Sequence, residues 1–61
     1  MFVIRCDGAR GDAGITLWLR TVSPTETWGP RVKAMEFSTR READAVLSDV
    51  HHIGRCEVRD T

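Results

Sequence analysis

Only one stretch of this 61-residue chain carries the apolar spacing of an amphipathic helix, and that limits the folds it can form. The residues spaced at i, i+3, i+4 and i+7 are Ala43, Val46, Leu47 and Val50. This spacing places them on one helical face. Just upstream, Thr39 and Glu42 predict a capping box, in which each side chain accepts from the other residue's backbone N–H. One helix cannot enclose a core by itself, so the other segments must supply a sheet for it to cover.

The segments on both sides of this helix alternate apolar and polar residues with the period of two that is typical of β-strands. The alternation predicts strands at residues 2–7, 15–22, 31–37 and 55–59. The glycine-rich connection between the first two strands precedes a strand, so its glycines predict turns and not a phosphate-binding loop. We therefore predict a single α+β domain spanning residues 1–61. It contains a small antiparallel sheet in the order β-β-β-α-β, with one helix packed on one face.

A lone helix covers one face of such a sheet and leaves the other face open to water or to a partner. The predicted core is Phe2, Ile4, Cys6, Ile15, Leu17, Leu19, Ala34, Phe37, Ala43, Val46, Leu47, Val50, Ile53, Cys56 and Val58. The residues predicted to lie on the open face are Val3, Arg5, Trp18, Arg20, Val22 and Lys33.

The open face suggests a surface for binding a partner. A tryptophan flanked by arginines makes a good interface anchor, because the indole supplies contact area and the guanidinium supplies planar hydrogen bonding. The predicted partner-binding residues are Arg5, Trp18, Arg20, Lys33 and Trp28. Two alternatives remain for this face: its indole stacks on a nucleic-acid base, or it packs beneath arginine stems and only shields the sheet. Trp28, in a proline-bounded loop, either folds over the edge of the core or is an exposed hot spot.

The predicted helix carries a second candidate surface. Its carboxylates Glu42, Asp44 and Asp49 form an acidic face, which either solvates the helix or engages a basic groove on a nucleic-acid-handling protein. Nine Lys and Arg residues balance nine Asp and Glu residues, so the formal net charge is zero. Such a balance argues against mimicry of DNA by the whole protein and against general binding of polyanions.

No constellation of residues predicts catalysis, a cofactor or a metal site. Zinc ligands need a spacing that His51 and His52 lack, because neighbouring residues on a helix diverge by about 100°. Cys6 and Cys56 both fall on apolar faces, so they are predicted to be buried thiols, with an adventitious disulfide as the alternative. A buried thiol is a poor nucleophile, so we predict that the protein is not an enzyme.

Nothing in the sequence predicts a membrane span or a secretory signal. Its longest apolar run is only Phe2-Val3-Ile4, and two cysteines are too few for a disulfide-rich secreted scaffold. These features favour a protein of the cytoplasm.

One segment of the chain resembles a pattern found in short phage and prophage proteins. In these, a strand ending in A-x-x-F-[ST]-[ST] leads into a capped helix beginning with E-A, followed by a last strand. Here the matching residues run from Ala34 through Phe37 and Ser38-Thr39 to Glu42-Ala43, with Trp28 upstream. Anti-CRISPR proteins are similar in size and in having one helix on a small sheet. The resemblance implies a stoichiometric inhibitor of a host nuclease or CRISPR surveillance complex.

The functional prediction is therefore a non-enzymatic, protein-binding inhibitor or adaptor of phage type; its most specific form is an anti-CRISPR protein acting by occupancy in the host cytoplasm. Two alternatives stay open: a small nucleic-acid-binding module, and a homodimeric structural protein that pairs through an edge strand or the Trp18 surface. The protein is expected to be a monomer or a homodimer.

Overall fold

Four strands and one helix make up the structure, a computed structural model that describes residues 1–61. The strands are β1 (Phe2–Asp7), β2 (Thr16–Thr21), β3 (Thr27–Gly29) and β4 (Arg55–Asp60), and the helix is α1 (Arg40–Asp49). Two short 3-10 turns lie at Ala9–Gly11 and Arg31–Lys33. The structure confirms the predicted α+β class, in which an antiparallel sheet carries one helix.

The sheet has the spatial order β3-β2-β1-β4, and all its neighbouring strands are antiparallel. The last strand therefore lies beside the first. β1 and β4 pair along their whole length, from Phe2 opposite Asp60 to Asp7 opposite Arg55. This makes β1 a central strand and leaves β4 at one edge of the sheet.

Residues 35–37 fill the space where β1 and β2 cease to pair. In register, these strands pair only from Arg5–Trp18 to Asp7–Thr16. Beyond that point the N–H of Met35 donates to the carbonyl of Leu19 at 2.8 Å. Phe37 and Phe2 exchange two backbone hydrogen bonds of 2.8 Å each. The inserted segment thus satisfies buried backbone groups that the neighbouring strand no longer reaches.

The predicted third strand at residues 31–37 is wrong. The third strand is Thr27–Gly29, within the segment expected to be a loop or a loosely paired strand tip. Pro30 follows it directly, and its carbonyl accepts from the N–H of Lys33 at 2.9 Å in a 3-10 turn. The alternation of apolar and polar residues around Val32 does not mark a buried strand face, because the Val32 side chain is 84% exposed. Met35, which lies outside any strand, packs against the core.

The helix begins at the predicted cap. The Thr39 hydroxyl accepts from the N–H of Glu42 at 3.2 Å, as the capping box requires. The reverse bond differs from the prediction, because the Glu42 carboxylate accepts from the hydroxyls of Ser38 at 2.7 Å and Thr39 at 3.2 Å. The helix ends at Asp49, with Val50 as its cap.

The core lies between α1 and one face of the sheet. Its buried members are Ile4, Leu19, Phe37, Ala43 and Val50, and the partly buried residues packed on it are Phe2, Trp28, Met35, Val46, Leu47 and Val58. The predicted apolar stripe of the helix is thus confirmed. Ile15, predicted to be in the core, is 38% exposed because β2 begins one residue later. Val3 and Ala9 are buried although neither was predicted to be.

Gly54 lies where the chain enters β4 and touches the backbone at the end of β1. A Cβ atom there would collide with the carbonyl oxygen of Asp7 and would lie 2.9 Å from the carbonyl carbon and oxygen of Gly8. Backbone atoms cannot move aside without shifting the strand. Gly54 therefore permits the close approach of β4 to β1.

The substitution Gly54→Ala is expected to destabilise the protein by about 1–3 kcal/mol, because the added methyl group overpacks a backbone contact. Thermal or denaturant unfolding followed by circular dichroism measures this. Gly29→Ala is the control, since a Cβ there meets only the flexible Arg20 side chain at 3.8 Å. Equal losses of stability in the two variants would contradict the assigned role of Gly54.

Candidate functional site

The reverse face is the side of the sheet that points away from α1. Since paired residues in antiparallel strands share a face, the register assigns its members. They are Val3, Arg5 and Asp7 from β1; Thr16, Trp18 and Thr21 from β2; Thr27 and Gly29 from β3; and Arg55, Glu57 and Arg59 from β4. Arg20 lies in the register shift of β2, and its side chain lies beside Gly29 on the same face. No helix covers these residues, as the sequence predicted. Val3 is nevertheless fully buried, so this face is not open along the whole of β1.

Trp18 is the centre of the reverse face and is held by two arginines. The guanidinium carbon of Arg5 lies 5.7 Å from the centroid of the indole, and that of Arg31 lies 5.4 Å from it. Both distances are within the range of cation–π attraction. Trp18 pairs with Arg5 on β1 and with Gly29 on β3, two residues before Arg31. The indole is thus half-buried, and arginines from two different segments fix its position.

Asp7 positions one of these arginines. Its carboxylate oxygen accepts from Nε of Arg5 at 2.9 Å and from the Thr16 hydroxyl at 2.8 Å. The Thr16 hydrogen bond, followed by the hydrogen bond and charge of Arg5, holds the pKa of Asp7 below its ordinary value. The carboxylate therefore stays ionised at neutral pH and keeps Arg5 directed along the sheet.

The reverse face is basic, although the chain as a whole is neutral. Its arginines are Arg5, Arg20, Arg55 and Arg59 from the strands, together with Arg31, whose guanidinium reaches over Trp18 from the turn after β3; its carboxylates are Asp7 and Glu57. Five positive and two negative charges give this face a formal charge of +3, so the remainder of the neutral chain carries −3. Both carboxylates already contact an arginine: Asp7 contacts Arg5, and Glu57 contacts Arg59 at 3.4 Å. The other three guanidinium groups form no ion pair within the protein.

The structure brings together three of the predicted partner-binding residues, Arg5, Trp18 and Arg20. Lys33 is exposed but lies in a 3-10 turn, not on the strand where it was expected. Trp28 lies on the opposite side of the sheet, because it pairs with the core residue Leu19 and packs against the core. Of the predicted set, Trp28 is therefore placed on the core side of the sheet, and Lys33 lies in the turn that also contains Arg31.

The sequence pattern gave no sign of a role for Glu26. In the structure this residue joins the loop between β2 and β3 to the end of the helix. One carboxylate oxygen accepts from Nε1 of Trp28 at 2.9 Å, and the other from the N–H of His51 at 3.0 Å. The hydrogen bond from Trp28, followed by that from the His51 backbone, lowers the pKa of Glu26. These contacts support a structural role for Glu26 and fold Trp28 over the edge of the core.

The acidic helix surface is less uniform than the sequence suggested. Glu42, Asp44 and Asp49 are all exposed, but Glu42 is used in capping the helix. Arg40 and Arg41 lie on the same helix, and the guanidinium of Arg40 stacks over Phe2 at 5.3 Å. Mixed charge of this kind is typical of a solvated helix surface.

The two cysteines are directly opposite each other in β1 and β4, on the side of the sheet that faces the helix. Both are free thiols; Cys6 is buried and Cys56 is half-buried. Burial, followed by the hydrogen bond and charge of Cys56, raises the pKa of Cys6 to about 12. Cys6 therefore stays protonated at neutral pH, a state unsuited to nucleophilic attack.

The structure has one pocket, of about 260 Å³, lined by Asp7, Gly8, Ala13 and Arg55. It contains no nucleophile beside a base, and Asp7 is already paired with Arg5 and Thr16. No group of three or more His, Cys, Asp or Glu side chains is placed to hold a metal ion. The reverse face is thus the most distinctive chemical feature of the protein.

Comparisons with known proteins yield no match, whether to a family model, to a curated protein or to a solved structure. The helix α1, with ten residues, is too short to cross a membrane. Function must therefore be argued from the reverse face itself.

Replacing Thr16 by valine should raise the pKa of Asp7 toward its ordinary value, because the variant loses the hydrogen bond that most favours the ionised carboxylate. An NMR titration of the Asp7 carboxyl carbon measures this shift.

A lowered folded-state pKa stabilises the protein above the unfolded pKa, and that stabilisation disappears as the pH falls through the folded value. Any stability that wild type gains over the variant from this bond should therefore vanish in acid. Thr21→Val, whose hydroxyl contacts only Thr25 and Thr27, serves as the control. An unchanged Asp7 pKa in Thr16→Val would contradict the assignment.

Proposed function

We propose that this protein is a non-enzymatic binding domain whose reverse face docks onto an acidic surface of a protein partner. The observation that carries the proposal is Trp18, held between Arg5 and Arg31 on a sheet face that no helix covers. Tryptophan and arginine are the residue types most enriched among interface hot spots. Here they are adjacent and already ordered, so binding would cost little side-chain entropy.

The charge of the reverse face favours an acidic partner. Arg20, Arg31 and Arg55 have no carboxylate within the protein, so carboxylates of a partner can pair with them bidentately. Such pairing is strongest where the surrounding surface excludes water, and the indole of Trp18 provides that apolar surface. A flat face of this kind binds by complementarity and needs no cavity or chemical step.

A nucleic acid is the second candidate partner, because a basic sheet face with an aromatic ring can also bind single strands. One observation makes it second: the ring of Trp18 is already stacked by two guanidinium groups, which compete with a base for its faces.

The specific form of the proposal is an inhibitor or adaptor that acts by occupying a site on its partner. The resemblance of residues 34–47 to short phage proteins supports this form, and anti-CRISPR inhibition is its sharpest version. A host nuclease or CRISPR surveillance complex is then the first target class to test. The basic residues of the reverse face would occupy an acidic patch on such a target. They would thereby displace a basic group that otherwise contacts this patch.

The first test captures partners from a bacterial lysate and measures their affinity after purification. Trp18→Ala and Arg31→Ala should each weaken binding at least about tenfold, as expected for hot-spot residues. Arg41→Ala removes the same charge as Arg31→Ala, but from the helix on the other side of the sheet, so its affinity should stay within about twofold of wild type. Equal affinities of wild type and Trp18→Ala for the partner would contradict the proposal.

The dependence of binding on salt separates the two candidate partners. Release of counterions from phosphate makes nucleic-acid affinity fall steeply with salt, whereas a protein interface loses affinity more gradually. Fluorescence anisotropy with a labelled single-stranded oligonucleotide should show only weak binding that disappears at physiological salt. Tight oligonucleotide binding that depends on Trp18 would favour the nucleic-acid candidate instead.

A further inference from the structure

The strand β4 forms a free edge of the sheet. It pairs with β1 on one side, and no other strand pairs with it on the other side. With six residues it is also the longer of the two edges, since β3 has only three. A regular edge strand presents unpaired backbone N–H and C=O groups, which can add a further strand.

The charges along this strand determine which strand fits beside it. Arg55, Glu57 and Arg59 alternate in sign on the reverse face, while Cys56 and Val58 point toward the helix side. In two copies of the same edge, the same alternate residues direct their backbone groups outward. An antiparallel ladder between them must therefore join odd residues to odd and even residues to even.

Few symmetric registers satisfy this parity condition. They differ in which charged residues lie opposite each other across the two strands. A register centred on Glu57 places Arg55 opposite Arg59 and Glu57 opposite itself, so like charges meet. A register centred on Arg59 places that residue opposite its own copy. A register centred on Val58 places each Glu57 opposite Arg59 of the second copy, and pairs residues 56–60 of both strands. A register centred on Cys56 also pairs unlike charges but overlaps only residues 55–57 within the strands. The register centred on Val58 therefore combines the longest overlap with unlike charges.

We propose that two copies of this chain associate through β4 in the antiparallel register centred on Val58. The pairing joins two four-stranded sheets into one of eight strands. The exposed Glu57–Arg59 contact of 3.4 Å within each chain is replaced by two cross-strand ion pairs between chains. The half-buried Val58 side chains meet at the two-fold axis.

This pairing leaves both reverse faces open, because it uses only the edge of the sheet. The dyad of an antiparallel ladder is perpendicular to the sheet, so both helices lie on one side and both reverse faces on the other. The two Trp18 clusters then form one extended basic surface. The inference does not rest on the proposed function, since an edge can dimerise whatever the reverse face binds.

The test is sedimentation equilibrium of wild type and charge variants between about 10 µM and 1 mM, a range suited to a small and weak interface. Wild type should approach the dimer mass at the upper concentration. Glu57→Arg and Arg59→Glu each place like charges opposite one another at two symmetric positions, and each should weaken dimerisation about tenfold. The double variant Glu57→Arg/Arg59→Glu restores unlike pairs and should dimerise as wild type does.

Two further controls make the result specific. Asp44→Arg changes the net charge as Glu57→Arg does, but on the helix, and should leave the dimer unchanged. Trp18→Ala should also leave it unchanged, which separates this interface from the partner-binding face. Circular dichroism of every variant confirms folding. A wild type that stays monomeric at about 1 mM overturns the proposal. A double variant no better than the single ones, or single variants as dimeric as wild type, overturns it equally.

Discussion

A single ten-residue helix covers only one side of a four-stranded sheet, and the rest of this structure follows from that limit. The apolar side chains of β1, β2 and β4 that face α1 form the core with Ala43 and Val50. The other side has no second layer to cover it. In a chain of 61 residues there is no further helix to provide one. That side must be stable in contact with water, and its composition reflects the requirement.

Arginine satisfies this requirement and at the same time places positive charge on the surface. Val3 is fully buried on this face, whereas the arginines of the face are exposed or half-buried. The guanidinium groups remain accessible, and Asp7 and the aromatic ring hold two of them in place. These side chains therefore present ordered positive charge to the solvent.

The sequence predicted those parts of the fold in which local pattern and burial agree. The strand β1 matches its predicted bounds, while β2, β4 and α1 match within a residue or two at most ends, because each has a clean period and a recognisable cap or turn. The third strand failed because residues 31–37 alternate by chance, whereas its true position at Thr27–Gly29 is too short to show a period. Insertion of residues 35–37 between β1 and β2 is a tertiary effect that no local pattern contains.

The candidate site was predicted in part for the same reasons. Alternation along β1 and β2 placed Arg5, Trp18 and Arg20 on one face correctly, but Arg31 lies in a turn and reaches Trp18 only through the pairing of Trp18 with Gly29. Trp28 is also a tryptophan, but it lies on the opposite side of the sheet from Trp18.

This contrast between Trp18 and Trp28 allows the most direct measurement, an NMR spectrum of the two indole N–H groups with and without an unlabelled partner. If the reverse face binds the partner, the Trp18 signal shifts on binding. The signal of Trp28, whose indole N–H donates to Glu26, does not shift. A shift of Trp28 with Trp18 unmoved would contradict this prediction.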